Sequence, residues 1–509
     1  MGITTSLLIA SAEVGNINAQ FGVVGQNVAN SSTPDYAQED LSQLSLTAGG
    51  VGMGAVNGTV GRAIDTQVQA EVFGQNSTVA SLQTQQATLQ QIDSLEGPVG
   101  SGTDIGSLLG VVQDAFSTLL TQPDDPTQQQ QVVSSAEALT TQINSVANAV
   151  SATRQTAQDS IVGEVAQLNS TLATLGSLSN QIVEAQAQGQ STAGLQNQRD
   201  AAEDSLSQLI SVKFAPQPNG DLLAITPSGL NLPIHSDSPP FSTSAATLGP
   251  TVYAPGGGVP AITFNGQDVT GQLAGGQLGA NITLRDQTLP TIQANLDEFS
   301  QTLSSRFAAQ GLTLFTDASG SVPSGGGTPA QAGYVGYANT IQVNPAVVAN
   351  PILVVDGTNA VAGSSTGASA FTPNPANGPA GFTGMITRVL DYALGSDAQP
   401  GVAQTPPSVS GLGPAGNLSA GFVAPADLAS QATAVTAAEA QQSATVTSQL
   451  ATEQAVQTGL QATLSAGSSV NIDSQMSLMI VLQNAYSANA KVIATVQSMF
   501  TTLLQEVTS

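Results

Sequence analysis

The chain has no cysteine and only eight basic residues among its 509. Without cysteine there are no disulfides, no thiolate metal sites and no cysteine nucleophile. The net charge of -26 comes from 34 acidic against 8 basic side chains, with none of the basic ones before Arg62 or between Arg388 and Lys491. Neutralising phosphates takes clustered Lys and Arg, so nucleic acid is excluded as a partner, and the same shortage excludes anionic membrane surfaces. Charged residues make up 8% of the chain, against about 25% in an average domain. Surfaces rich in Ala, Ser, Thr, Gln, Gly and Asn carry little self-repulsion and suit packing against like copies. The stretch from Met1 to Ala12 lacks the positive start and apolar run of a secretory signal, and we expect no apolar segment long enough to span a bilayer.

Signatures of catalysis are missing too. There is no HExxH, CxxC or GxxxxGK, which leaves zinc hydrolysis and nucleotide use unsupported. The single histidine, His235, lies in Leu232-Pro233-Ile234-His235-Ser236-Asp237, and a Ser-His-Asp hydrolase could be built on it. Ser and Asp are so frequent here that their proximity to one His means little, and His235 reads as a loop residue. Asp317-Ala318-Ser319-Gly320 lacks the spaced carboxylates and closing Glu of a calcium loop. No cofactor and no metal are expected.

What is present is concentrated at the two ends. Ile3, Leu7, Ala10, Val14, Ile17, Phe21, Val24 and Val28 alternate in steps of four and three, an unbroken heptad seam. Beside it runs a row of small residues, Ala12, Gly15, Ala19, Gly22 and Ala29, which would let another backbone approach closely. At the far end Ile472, Met476, Met479, Tyr486, Ala490, Ile493, Phe500, Leu504 and Val507 follow the same spacing with Gln483 and Gln497 interrupting, and Leu478, Leu482, Ala485, Val492, Val496, Met499 and Leu503 form a second row interrupted by Asn489. An outer helix needs one apolar stripe; two stripes imply more than one neighbour. We expect the ends to pair with each other and then with other copies of the chain.

Between the ends the pattern is nearly palindromic. The first helix should stop near Asn30, with Pro34-Asp35 in a turn and Tyr36 left to plug something. An irregular strand-bearing connector covers 41–72, and helices follow over 68–95 and 105–120. The longest signal runs from 132 to 188, roughly 85 Å if continuous at about 1.5 Å per residue, with a phase slip near Ala157 of the kind a coiled-coil stutter makes. A helix over 195–210 leads to Asn219-Gly220, a hairpin signal. From Pro216 to Pro425 the chain turns loop-rich: 22 of 26 prolines lie there. Short strands are expected at 251–253, 261–264, 340–343 and 352–355, with helices over 289–307 and near 385–394. A helix returns over 428–464, Gly467 breaks it, and the final helix follows. The expected fold is mainly α with an inserted β-rich domain. A terminal coiled coil (1–40 and 468–509) leads to a helical rod (41–211 and 424–467) and an outer insert (212–423).

Asn27-Val28-Ala29-Asn30-Ser31-Ser32-Thr33-Pro34-Asp35-Tyr36 resembles the N-terminal motif of the rod, hook and hook-associated proteins of the bacterial flagellum, and Ser469 to Gln505 resembles their C-terminal helix. Leu195-Gln196-Asn197-Gln198-Arg199-Asp200 and Gly275-Gly276-Gln277-Leu278-Gly279 resemble segments of the hook-associated protein 1 family, whose members join hook to filament. Asp35 stands where those proteins usually have Gly, Gln26 replaces an Asn, and Ala37-Gln38 replaces a common Ser-Arg. The resemblance implies terminal segments that fold into a tube when subunits stack in a ring, with Ile3, Leu7, Val14, Ile17, Phe21, Val24, Val28, Pro34, Tyr36, Met476, Met479, Leu482, Tyr486, Ile493, Val496, Phe500, Leu503 and Leu504 at the assembly interface. It implies type III flagellar export, a chaperone on the C-terminal segment, and hook protein and the next junction protein as neighbours. Another axial protein such as hook protein is the nearest alternative, and a secreted hydrolase using His235 the distant one.

Overall fold

The computed structural model describes residues 2–33, 36–48, 51–325 and 327–508. The expected Pro34-Asp35 turn lies outside them.

Helix α1 (Ile3–Ala29) ends where the Asn30 N–H bonds back to the Gln26 and Val28 carbonyls. Strands β1 (Glu39–Ala48) and β2 (Val51–Arg62) form an antiparallel hairpin with two register shifts, laid along α1 and tied to it by Asn16 Nδ2 donating to the Ala55 carbonyl at 2.7 Å. Helices α2 (Thr66–Glu96), α3 (Ile105–Thr121) and α4 (Pro126–Ala187) each start on an aspartate, Asp65, Asp104 and Asp125, whose carboxylate accepts the first free N–H groups. The Asp125-Pro126 pair is a good helix start, so α4 begins six residues before its apolar seam.

One unbroken helix of 62 residues, roughly 93 Å at about 1.5 Å per residue, makes α4 the spine. Val132 to Val150 enter one core with α3, the far end of α2, residues 284–394 and residues 428–446. Ile161 to Leu175 enter a second core with residues 206–278. The phase slip falls between the two. There Arg154 and Gln158 turn inward: Arg154 donates to the Arg285 and Val252 carbonyls at 2.8 Å, and Gln158 accepts from Arg285 Nη1 at 2.7 Å. The stutter marks where the spine changes neighbours.

Helix α5 (Ala193–Leu209) leads to β3 (Lys213–Pro216), β4 (Leu222–Ile225) and β5 (Asn231–Leu232), a three-stranded antiparallel sheet; Gly220 adopts φ +91 in the first turn. A second small sheet joins β6 (Phe241–Ser242), β7 (Thr263–Phe264) and β8 (Gln267–Asp268). Helix α6 (Gly276–Thr283) passes through one π-turn into α7 (Leu289–Ala309). Short helices α8 (Pro345–Ala349), α9 (Leu353–Asp356) and α10 (Gly384–Arg388) follow, and then α11 (Leu428–Ser468) and α12 (Ile472–Thr508) return the chain to its start. Three expectations change. The strand expected at 352–355 is replaced by the helical turn Leu353–Asp356, 251–253 make only isolated bridges from Tyr253 to Gly257 and Gly258, and Gly467 stays inside α11, the break falling at Ser469 to Asn471.

The scarce cations are spent inside. The side chains of Arg62 and Arg199 are 9% and 6% exposed, and Arg154, Arg285, Arg306 and Arg388 are buried as well; Lys213 and Lys491 are on the surface. Most of the buried guanidiniums hold backbone carbonyls, as Arg388 does at Gln310 and Ser369.

Candidate assembly interface

The heptad seam of α1 packs antiparallel on α12. Ile17, Val24 and Leu482 are fully enclosed, and Phe21, Val28, Met479 and Ala485 pack around them. Val496 is buried further along α12, and Leu7, Val14, Ile493 and Phe500 are half-buried. Ile3, Met476, Tyr486, Leu503 and Leu504 face outward, and Pro34 is outside the described residues. The contact therefore takes part of each expected row of α12, through Met479, Leu482, Ala485, Ile493, Val496 and Phe500. The rest stays uncovered: Met476, Ile480, Val481, Tyr486, Val492, Met499, Leu503 and Leu504 are between 41% and 63% exposed. The small-residue row of α1 is exposed as well, and a Cβ built on Gly15 or Gly22 would meet nothing within 4 Å.

Among the described residues α1 is the one helix long and apolar enough in composition to cross a membrane, contrary to the expectation that no stretch would be. Its aliphatic seam and Ala content raise the average, while Asn16 and Asn27 are buried in polar contacts.

Where the terminal pair meets the rod, apolar packing gives way to buried polar side chains. Asn27 Oδ1 accepts the Glu39 N–H at 2.9 Å and the Tyr36 hydroxyl at 3.0 Å, and its Nδ2 donates to the Glu39 carbonyl at 2.8 Å and Gln475 Oε1 at 3.4 Å. One amide thus spends all its hydrogen-bonding capacity on α12, the hairpin and Tyr36. Burial, then the nearby Glu39 carboxylate, push the Tyr36 phenol up to about 12, so it stays a donor. Burial also raises Glu39, against the pull of Arg62.

One layer outward Asn197 of α5 does the same for Ala37, accepting its N–H and donating to its carbonyl, both at 3.3 Å. Arg62 Nη1 donates to Asn197 Oδ1 at 3.0 Å and Asp200 Oδ2 at 2.5 Å, and Gln69 Nε2 reaches the same Asp200 oxygen at 2.7 Å. The Gln38 N–H bonds the Ser468 carbonyl at 2.8 Å, joining outgoing and returning chains. Asn27, Arg62, Asn197, Asp200 and Gln475 were not expected here as contacts. The available signal was the cluster Gln196-Asn197-Gln198-Arg199-Asp200 in a chain otherwise poor in charge.

The surface chemistry elsewhere is plain. His235 Nε2 lies 2.9 Å from Asp221 Oδ1 in the open, and Asp317 Oδ1 is occupied by the Ser319 and Ser321 N–H groups and the Ser319 hydroxyl. Among the described residues no group of three or more His, Cys, Asp or Glu is placed to hold a metal ion.

Residues 89–321 match the family model described as flagellar hook-associated protein FlgK helical domain, and residues 461–506 match that of the flagellar basal body rod FlgEFG protein C-terminal. Together they cover more than half of the chain and coincide with the α4 spine and the α12 end of the interface. Over residues 89–321 the chain is similar to the flagellar hook-associated protein 1 family. That family is structural, not enzymatic. Flagellar hook-associated protein 1 of Bacillus subtilis (strain 168) is 24% identical over 234 residues, 43% of this chain and 45% of that protein. Its counterpart in Salmonella typhimurium (strain LT2) is 24% identical over 306 residues, 57% of this chain and 54% of that protein. The chain thus spans about half the length of the curated relatives it matches. A solved structure, the flagellar hook junction protein FlgK from Burkholderia pseudomallei, aligns at 26% identity with a TM-score of 0.41 over 51% of this chain and 46% of that one.

Proposed function

We propose that this protein is the structural subunit that joins the flagellar hook to the filament, its α1–α12 pair stacking with those of sister copies into the axial tube. The observation that carries the reading is the uncovered apolar face of α12, from Met476 to Leu504, beside the exposed small-residue row of α1. Aligned apolar surface in water on a helix already paired on its other side asks for a further neighbour. In an assembly of identical subunits every copy supplies the same face.

Residues 1–40 and 468–509 then form the tube, 41–211 and 424–467 the rod, and 212–423 an insert packed along the spine. Subunits close into a ring, with hook protein on one side and the next hook-associated protein on the other. Before export through the flagellar type III route, a chaperone covers the C-terminal segment. The interface comprises the seam residues of both helices together with Pro34 and Tyr36.

Deleting the gene should leave cells with hooks but no filaments, shedding flagellin into the medium. Cells lacking hooks altogether would instead point to hook protein, the alternative. Complementation with Leu503→Asp should fail and with His235→Ala should succeed; the reverse outcome would favour a hydrolase.

A further inference from the structure

Glu96 ends α2 and Glu439 lies three turns into α11. Both residues are buried, 2% and 4% exposed, and each lies one turn beyond the bond between Asp93 and Ser443, which places them opposite each other across the contact between α2 and α11. Oε1 of each finds no donor among the described residues. One turn back on α2, Asp93 receives the Ser443 hydroxyl. Ionised carboxylates only accept, so a hydrogen bond between the two requires a proton on one of them.

The surroundings offer no other neutralising charge. Helices α2, α3 and α11 contain no basic residue. On α4, Arg154 is committed to the Arg285 and Val252 carbonyls. On α7, Arg306 is drawn toward the Asp427 carboxylate at the start of α11. Of the acids on these elements, Asp93 faces the pair. Asp104 is held by Ser107 and the Gly100 N–H at the head of α3, Asp114 is exposed, and Asp297 and Glu298 on α7 are bonded to Gly336, Ala338, Tyr334 and Ser408.

We infer that Glu96 and Glu439 share a single proton, and that this proton clasps the outer end of α11 to α2 and releases it as the pH rises. Burial first, then the hydrogen bond with Glu96 and the charges of Glu96 and Asp93, drive Glu439 well above the usual carboxylate range. An acid raised on folding contributes stability that is fully present below its unfolded value and is lost as pH climbs through the folded one. The clasp is therefore closed in acid and at neutrality and opens in alkali. Because α11 runs on into the terminal pair, opening loosens the stem that carries the tube.

Hydrogen exchange of the full-length protein tests this, read over residues 431–446 from about pH 6 to about pH 9 and corrected for intrinsic rates. In the wild type protection should fall by up to about tenfold per pH unit, the limit for one linked proton. In Glu439→Gln, where the amide donates to Glu96 at any pH, it should stay level. The wild type should also show a stronger infrared band of protonated carboxyl in deuterium oxide at neutral pH than Glu439→Gln, in which Glu203 still contributes. An equal fall in both proteins, or equal band intensity in both, overturns the inference. So does protection restored at alkaline pH by added calcium chloride, which would mean that a cation and not a proton bridges the carboxyls. Should Glu439→Gln not fold, Glu96→Gln permits the same comparison.

Discussion

Asn27 and Glu39 exchange two hydrogen bonds, side-chain amide to backbone: the Glu39 N–H reaches Asn27 Oδ1 at 2.9 Å and Asn27 Nδ2 reaches the Glu39 carbonyl at 2.8 Å. A side chain on the last turn of α1 thus takes the place of a strand partner at the first residue of β1. Asn27→Leu fills similar space but leaves a buried N–H and C=O unpaired, at about 1–3 kcal/mol each. The terminal pair should detach from the hairpin while the rod stays folded. Hydrogen exchange would show faster exchange at residues 36–41 and unchanged protection along α4; uniform destabilisation of both would contradict this.

Two neighbouring positions on α1 should behave in opposite ways. Phe21 packs with Ile17, Val24 and Leu482, so Phe21→Asp should unzip the terminal pair and abolish swimming. Gly22 has open space where a Cβ would go, so Gly22→Leu should leave the monomer as stable as before or better by about 0.5–1 kcal/mol, glycine being poor in a helix interior. On the proposed stacking it should still block assembly, because the added side chain would stand in the path of a sister helix. Normal motility in Gly22→Leu would remove the small-residue row from the tube contact.

The terminal ends should also be the weakest part of the free subunit. Three enclosed side chains hold the α1–α12 pair, whereas α4 is lined by buried residues along nearly its whole length. Limited proteolysis of dilute monomer should cut within 2–33 and 470–508 before the rod. Rod cleavage first would count against a pair completed only on assembly.

How far the sequence shows this architecture depends on whether a feature repeats. The seam of α1 and both halves of α4 repeat every seven residues, and both were legible, phase slip included. The knot around Asn27 was not, because it joins single residues as far apart as Asn27 and Gln475 and leaves no period. At Ile352 to Val355 four β-branched and aliphatic residues read as a strand, yet Pro351 favours a helix start and Gly357, at φ +85, a helix end, so one turn forms. Gly467 read as a breaker but has nothing within 4 Å of its would-be Cβ, and α11 runs through it. The true restart is Asn471, whose Oδ1 accepts the Ser474 N–H at 3.0 Å.

Gly176 on α4 marks a close approach of the 231–241 segment to the spine. A Cβ there would come within 1.8 Å of the Ile234 carbonyl oxygen, which backbone cannot yield cheaply. Gly176→Ala should therefore lose stability despite its better helix propensity, by about 1–3 kcal/mol as overpacked sites do, with the 231–241 segment lifted from α4. Urea denaturation gives the sign. A stabilised variant would mean that the segment does not sit on α4 in solution.

Beneath the knot, Glu203 supplies a test of the electrostatics. Burial raises its carboxyl to about 8, aided by Asp200 and opposed by Arg199 and Arg62. Arg199 Nε is 3.2 Å away, but these two atoms are not aligned as a hydrogen bond, so desolvation wins. A raised acid stabilises fully below its unfolded value, near the ordinary carboxylate range, and that contribution is lost as pH rises through about 8. Glu203→Gln cannot lose a proton. The melting temperature of the wild type relative to this variant should therefore fall steadily between about pH 5 and about pH 8, then level off. A constant difference across that range would show that Arg199 keeps Glu203 ionised throughout, making the buried pair a true ion pair that helps to anchor α5 beneath the terminal helices.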